Sequence, residues 1–332
     1  MTERRNGDGK GGLTPIGDTR LMRDLEKRVR QQLTAPTPAQ QRVIEAASLA
    51  DGDAALSILY QHSALCQTFL PYRDPGDEAR SWERVNGNVH LEVVAGKALH
   101  PVKEQFTPVG LPFGPKARLV LMHINQQALF AQSPEIEVQD SLTSFVRRSL
   151  NLDTGGRTIR TVKDQLARLS AASIRLGIVK DGRARTVNSQ IVSAFDIWFS
   201  KDERQRVFWP STVRLSLDYW ESLKAHAVPL VEAHIAALSH SGMALDVYAW
   251  LAQRLHRIPA GKPALITWPI LQAQFGLDYA RLDNFRLAFR PAVRQVIALY
   301  QTAKVDLDRR GLTLHHSPPV VLPRVLLVCT QS

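Results

Sequence analysis

The apolar positions along the chain repeat with two different periods, and the switches between them mark the elements. In "TRLMRDLEKRVRQQL", Leu21, Leu25, Val29 and Leu33 recur at helical spacing until "APTP" breaks the pattern. Pro38 opens the next helix, because a proline at the first helical position loses no hydrogen bond. "DAALSILYQHSALCQTFL" reads as one more helix. In "WERVNGNVHLEVVAG" the period drops to two: Val89, Leu91 and Val93 alternate after Asn86-Gly87, a pair suited to the positive φ angles of a tight turn, which predicts a hairpin. Glycine and proline then punctuate "TPVGLPFGP" and mark a boundary.

From Lys116 the order becomes regular. "KARLVLMHINQQALFAQ" predicts a helix, "EIEV" a short strand, and "DSLTSFVRRSLNL" a helix capped by Asp140 or Ser141. A Gly155-Gly156 turn leads to a helix from near Thr158, and a two-stranded hairpin built on "IRLGIVKDGRARTV" ends in "SAFDIWFS". Helix, strand, helix, turn, helix, hairpin is the plan of a winged helix, with a helix-turn-helix inside it and the hairpin as wing. The order then recurs. "ALDVYAWLAQRLHRI" is a helix, "ALITW" a strand, "PILQAQFGL" a helix closed by Gly276, "RLDNFRLAFRPAVRQVIALY" a long helix, and "AKVDLDRRGLTLHH" a hairpin turning at Arg310-Gly311. Pro291 inside that long helix would cost ~3 kcal/mol in a regular one, which predicts a kink or a bent start. "STVRLSLDYWESLKAHAVPL" adds a strand and a helix between the units, and "SPPVVLPRVLLVCTQS" is an extended apolar tail.

The fold class predicted is α+β, mainly helical, with two tandem winged-helix domains and an N-terminal helical and hairpin extension. The boundaries are a disordered arm over 1–18, a helical region with its hairpin over 19–109, winged helices over 110–200 and 201–316, and a tail over 317–332. The region before Gly110 has apolar strand surface to bury and is the expected site of self-association.

Composition sharpens this picture. Among 332 residues, 42 Lys and Arg stand against 31 Asp and Glu, a net charge of +11. Such an excess favours a polyanionic partner, nucleic acid before anionic membrane. A generally basic proteome would give the same totals, so the placement of charge carries the argument. No apolar run reaches the ~18 residues of a membrane span. "MTERRNGDGKGG" lacks the apolar segment of a secretory signal, and Cys66 and Cys329 lack metal-ligand spacing, so both read as free thiols in a reducing cytoplasm.

The charge sits on two helices and the turns after them. In the first unit Ile159, Val162, Leu166 and Leu169 form an apolar stripe, while Arg157, Arg160, Thr161, Lys163, Asp164 and Arg168 point elsewhere. A recognition helix needs that division: one face docks, and the other presents arginine forks to guanine or phosphate. Lys180, Arg183 and Arg185 on the wing are placed to reach phosphates, which position without specifying sequence. In the second unit Phe285, Phe289, Ala292, Val293 and Val296 dock. Arg286, Arg290 and Arg294 recur four apart, with Arg281 and Asn284 near the helix start and Arg309 and Arg310 at the wing tip. Like charges at that spacing repel by a few tenths of a kcal/mol per pair, a cost that an anionic partner relieves. The competing reading of each face is an ordinary solvated surface. Chemistry is thin. No phosphate-cradling loop, nucleophile elbow or zinc-protease motif occurs, and His315-His316 or the pair Asp306 and Asp308 are too few for a metal centre. The expectation is a protein that is not an enzyme and takes no cofactor.

"GLPFGPKARLVLMHINQQAL", "SLTSFVRRSLNL" with the glycines after it, and "VKDQLARLSAASI" resemble the RepA-type plasmid replication initiator proteins. The similarity covers roughly Gly110 to Phe199, where Gly110, Pro112, Gly114 and Arg118 fall as in that family. "FRLAFRPAVRQVIALY" is similar to the last recognition helix of iteron-binding initiators, Pro291-Ala292 included. The resemblance implies tandem winged helices that bind repeated double-stranded origin DNA. It also implies a homodimer in the free state, monomer or dimer on DNA, and recruitment of a host replicative helicase and host initiator protein in the bacterial cytoplasm. By position it places Arg286, Arg290 and Arg294 in the major groove and Arg160, Lys163 and Arg168 in the equivalent first helix. Self-repression of the gene fits the same fold, and a dedicated transcriptional repressor is the alternative. An interaction scaffold is a third reading.

Overall fold

The structure, a computed structural model, describes residues 37–49, 57–100, 104–137, 144, 146–147, 156–180, 183–189, 191–198 and 209–322. The helix expected over residues 19–33, most of the one over 140–152 with its caps, and Cys329 lie outside the described residues.

Helix α1 (Pro38–Leu49) begins on the expected proline. The stretch after it differs from expectation. Residues 58–62 form strand β1 (Ile58–His62), not a helix, and pair antiparallel with β11 (Ala227–Val231), Ile58 opposite Val231 and His62 opposite Ala227. Four of its five residues are buried. A strand covered on both faces loses its alternation, so its apolar run cannot be told from helix by period.

The hairpin is present as β2 (Ser81–Asn86) and β3 (Val89–Val94), but its turn sits one residue later than expected. Gly87 carries the positive φ, 59°, and forms the loop with Asn88. Asn86 closes the strand instead, its side-chain amide donating to the Gln67 carbonyl at 3.1 Å. Val89, Leu91 and Val93 are buried within the chain's own core. A second strand pair, β4 (Lys97–His100) and β5 (Gln105–Pro108), follows.

Helix α2 (Gly114–Ala131) is enclosed on all sides over its middle, with Leu119 through Asn125 all buried. Such a helix belongs at the centre of a protein rather than on its surface. After β6 (Glu135–Glu137), helix α3 (Gly156–Ala171) leads into β7 (Ser173–Lys180) and β8 (Arg183–Ser189), the hairpin expected to serve as a wing. That wing is not free-standing. It joins β2 and β3 in one sheet of order β2-β3-β7-β8, with Leu91 opposite Leu176. The "SAFDIWFS" stretch also departs from expectation. The chain buries Ile191 and Val192, and β9 (Val192–Trp198) pairs with β10 (Trp209–Leu215) in a separate sheet of order β6-β10-β9.

Helix α4 (Leu217–His226) is capped by Ser216, whose hydroxyl accepts from the Tyr219 amide at 3.2 Å. Beyond β11 come α5 (Glu232–Leu238) and α6 (Gly242–Arg254). The remainder follows the expected order: β12 (Ala264–Thr267), α7 (Trp268–Phe275), α8 (Leu282–Leu299), β13 (Val305–Leu307) and β14 (Gly311–Leu314). The three strands form a sheet of order β12-β14-β13. Helix α8 runs continuously through Pro291. The carbonyl that a proline there leaves without a donor belongs to Leu287, whose side is open to solvent. One connected core runs from Val43 to Leu314, and Val321 of the tail packs on Ile58 and Val231. The architecture is a mixed arrangement of helices and strands.

Candidate nucleic-acid interface

The second basic helix is organised around one tryptophan. Phe285, Phe289, Ala292, Val293 and Val296 of α8 are all buried, as their spacing requires. Phe285 and Phe289 meet Trp268 edge to face, with ring centroids 6.3 and 6.1 Å away. Trp268 is the first residue of α7 and only 1% exposed. The Arg286 and Arg290 guanidinium carbons each lie 5.2 Å from its ring centroid. A buried indole attracts such cations by its negative face. This offsets the like-charge repulsion anticipated from the arginine spacing without any outside anion. The same tryptophan holds the wing tip: its indole N–H donates to the Asp308 carbonyl at 3.1 Å, and its amide donates to the Arg310 carbonyl at 3.2 Å.

The wing tip is itself a turn built on Asp308. Its carboxylate accepts from the Arg310 amide at 2.8 Å, the Gly311 amide at 3.2 Å and the Arg310 side chain at 3.1 Å. The Arg310 amide, first among these, holds the Asp308 carboxyl below the usual carboxylate range. Gly311 has φ 156°, and a Cβ there would stand 2.0 Å from the Ile266 carbonyl oxygen, so only glycine fits. Arg309 and Arg310 are exposed, as are Arg281, Asn284 and Arg294; Arg286 is half-buried and ion-paired with Asp283 at 3.4 Å. Arg286 and Arg290 thereby meet over the indole of the residue that also fixes the backbone of the turn bearing Arg309 and Arg310. Sequence reading gave Trp268 to a strand and weighed Asp308 only as a metal ligand; the Trp-Pro pair opening a short helix beside a basic hairpin was the available signal.

The first basic helix is built differently. Arg157, Arg160 and Thr161 of α3 are exposed, and the Thr161 hydroxyl donates to the Arg157 carbonyl at 3.0 Å. Lys163 is half-buried, and burial lowers its pKa. Arg168 turns back on the chain: its side chain is 14% exposed, bonds the Asp164 carboxylate at 2.9 Å and the Leu111 carbonyl at 3.1 Å, and approaches Asp74 at 3.5 Å. Its guanidinium carbon also lies 5.0 Å from the Phe113 ring centroid. Of the wing residues, Lys180 is the register partner of Arg183, and Arg185 lies opposite Ile178.

Gly110 and Arg118, singled out by sequence, have structural explanations. A Cβ on Gly110 would stand 2.3 Å from the Arg168 guanidinium, so the glycine makes room for that side chain. Arg118 is buried and pairs bidentately with Asp246 of α6, both bonds at 2.7 Å. Its remaining donors reach the carbonyls of Gly114 at 2.8 Å, Leu70 at 2.6 Å and Pro71 at 3.2 Å. A buried cation is tolerable when paired and fully hydrogen-bonded, as here.

Residues 111–269 match the family model described as plasmid encoded RepA protein. The match runs beyond Phe199, where the resemblance read from the sequence was strongest, and ends at Pro269. The matched segment therefore contains α3, both residues of the Arg118–Asp246 pair, and Trp268, while α8 follows it. No curated protein matches the chain. Two solved structures align with it: selenomethionine-derivative domains 2 and 3 of RctB, at 7% identity and TM-score 0.48 over 76% of this chain and 98% of that one, and RctB domains 2–3, at 8% identity and TM-score 0.45 over 76% and 94%.

One serine-histidine pair invites a catalytic reading and does not support it. His62 Nε2 and the Ser222 hydroxyl are 3.0 Å apart, but His62 Nδ1 accepts from the Ala64 amide at 3.2 Å. The hydrogen is then on Nε2, the reverse of what a base for the serine needs. Burial, with His226 nearby, holds the His62 pKa down to about 4. No helix among the described residues is long and apolar enough to cross a membrane.

Proposed function

We propose that this protein is a plasmid replication initiator that binds repeated origin DNA through two winged helices, over 110–200 and 201–316, and has no chemistry of its own. Helix α8 enters the major groove, with Asn284, Arg286, Arg290 and Arg294 toward base edges and Arg281, Arg309 and Arg310 toward phosphates. Helix α3, through Arg157, Arg160, Thr161 and Lys163, and its wing, through Lys180, Arg183 and Arg185, grip the backbone, while Arg168 holds α3 to its own chain. On DNA it recruits a host helicase and initiator protein, acting as monomer or dimer from a pool of free homodimer, and represses its own gene. The RepA family match supports initiation. The observation that carries the DNA-binding reading is that Trp268 holds the Arg286 and Arg290 guanidinium groups over its ring and also fixes the backbone of the hairpin that bears Arg309 and Arg310.

The test is binding of the full-length chain to a duplex selected by it from a random pool, over ~50 to ~200 mM salt. Log affinity should fall against log salt with a slope of about −0.9 per phosphate neutralised. A flat profile would remove the electrostatic basis of the reading.

A further inference from the structure

One side chain on the outward face of α8 has no place in the arginine arrangement. Leu287 is 74% exposed, more than any other large apolar side chain among the described residues. At ~100° per residue it falls at the centre of the face opposite Phe285, Phe289 and Val296, beside Arg294 and between Arg290 and Asn284. Exposed Pro291, one turn on, continues the apolar strip, and Asp283 closes the face at the helix start. A single exposed leucine is ordinary on a protein surface. Its position is what matters here, because its neighbours are cations suited to phosphate and guanine. The apolar group that base edges show in the major groove is the thymine C5-methyl.

We propose that Leu287 packs against a thymine methyl in the bound duplex and selects thymine at that base pair. The inference rests on α8 being the helix that enters the groove. The pairing of Asp283 with Arg286 leaves the middle of the face, where Leu287 lies, to the base edges.

The experiment uses the full-length chain and a duplex it selects from a random pool. Each thymine of the selected site is replaced singly by deoxyuridine, which removes the methyl and keeps the pairing. One or two positions should lose affinity about three- to fivefold, the worth of one buried methyl. Leu287→Ala should show a similar loss on the thymine duplex and no further loss on uridine at that position, while Leu287→Met keeps the discrimination. Uridine costing Leu287→Ala as much as the natural protein at every position would overturn the proposal. So would an equal loss on unrelated duplex, unchanged binding by Leu287→Ala, or a selected site without thymine. Arg290→Ala and Arg294→Ala are measured beside it. If they bind like the natural protein, the placement of α8 in the groove fails. If they weaken while the leucine shows no coupling to the methyl, only this inference fails.

Discussion

Arg168 in α3 and Arg290 in α8 occupy comparable places, each on the outer side of a helix whose inner side carries the apolar stripe. Arg168 finds acceptors in its own chain, at Asp164, Leu111 and Asp74, and lies over Phe113. Arg290 meets an aromatic face, that of Trp268, and has no carboxylate partner among the described residues. An indole orients a guanidinium without using its N–H donors, whereas carbonyls and carboxylates occupy them. The same residue type beside an apolar stripe is thus a clamp in one region and a presented cation in the other. Helical periodicity says where a side chain starts, and the acceptors within its reach say where its head goes.

The largest expected effect treats both regions together. His62, His123 and His234 are buried, and burial lowers each pKa to about 4. The unfolded chain binds these protons near pH 6.5 and the folded chain does not, so stability falls as pH drops from ~6.5 toward ~4, by up to ~3 kcal/mol for each histidine. Urea unfolding midpoints measured from pH 7 to 4.5 should decline steeply, and the decline should be shallower in His234→Gln. A flat profile would mean these histidines are protonated without cost.

Trp268→Ala should then separate the regions. Removing this buried ring should cost ~3–5 kcal/mol of stability and release both arginines and the wing tip of the second unit. Hydrogen exchange should rise over 264–314 and stay low over 156–189. Equal loosening of both segments would show that the two sites do not depend on separate supports.

Arg168→Ala and Arg290→Ala should diverge in kind. The first should lower stability by ~1–3 kcal/mol, through the acceptors left behind, with little change in DNA affinity. The second should leave stability nearly unchanged and cost ~1–3 kcal/mol of binding, flattening preference at one or two base pairs. The opposite pattern would reverse the assignment of the helices. Smallest is the effect of Arg183→Ala or Lys180→Ala on the first wing. All duplexes should bind more weakly alike, with the salt slope smaller by about one unit. Loss of base preference in those variants would make the first unit the reader.

Much of this molecule was legible in order along the chain. The hairpin over 81–94 announced itself by period two, α8 by a docking stripe that is buried residue for residue, and the succession from α6 to β14 by its turns. These signals are local, set by backbone period and by glycine and proline conformation. Tertiary pairing decided the rest. Strand β1 is a strand because β11 lies beside it, 165 or more residues away in sequence by its register. The wing after α3 became part of the N-terminal hairpin's sheet, and β9 left that hairpin for another. The role of each arginine was decided the same way, by Trp268, Asp164 and Leu111. A strand's edge and a guanidinium's donors are satisfied by whatever the folded chain brings near, and no period in the sequence encodes that neighbour.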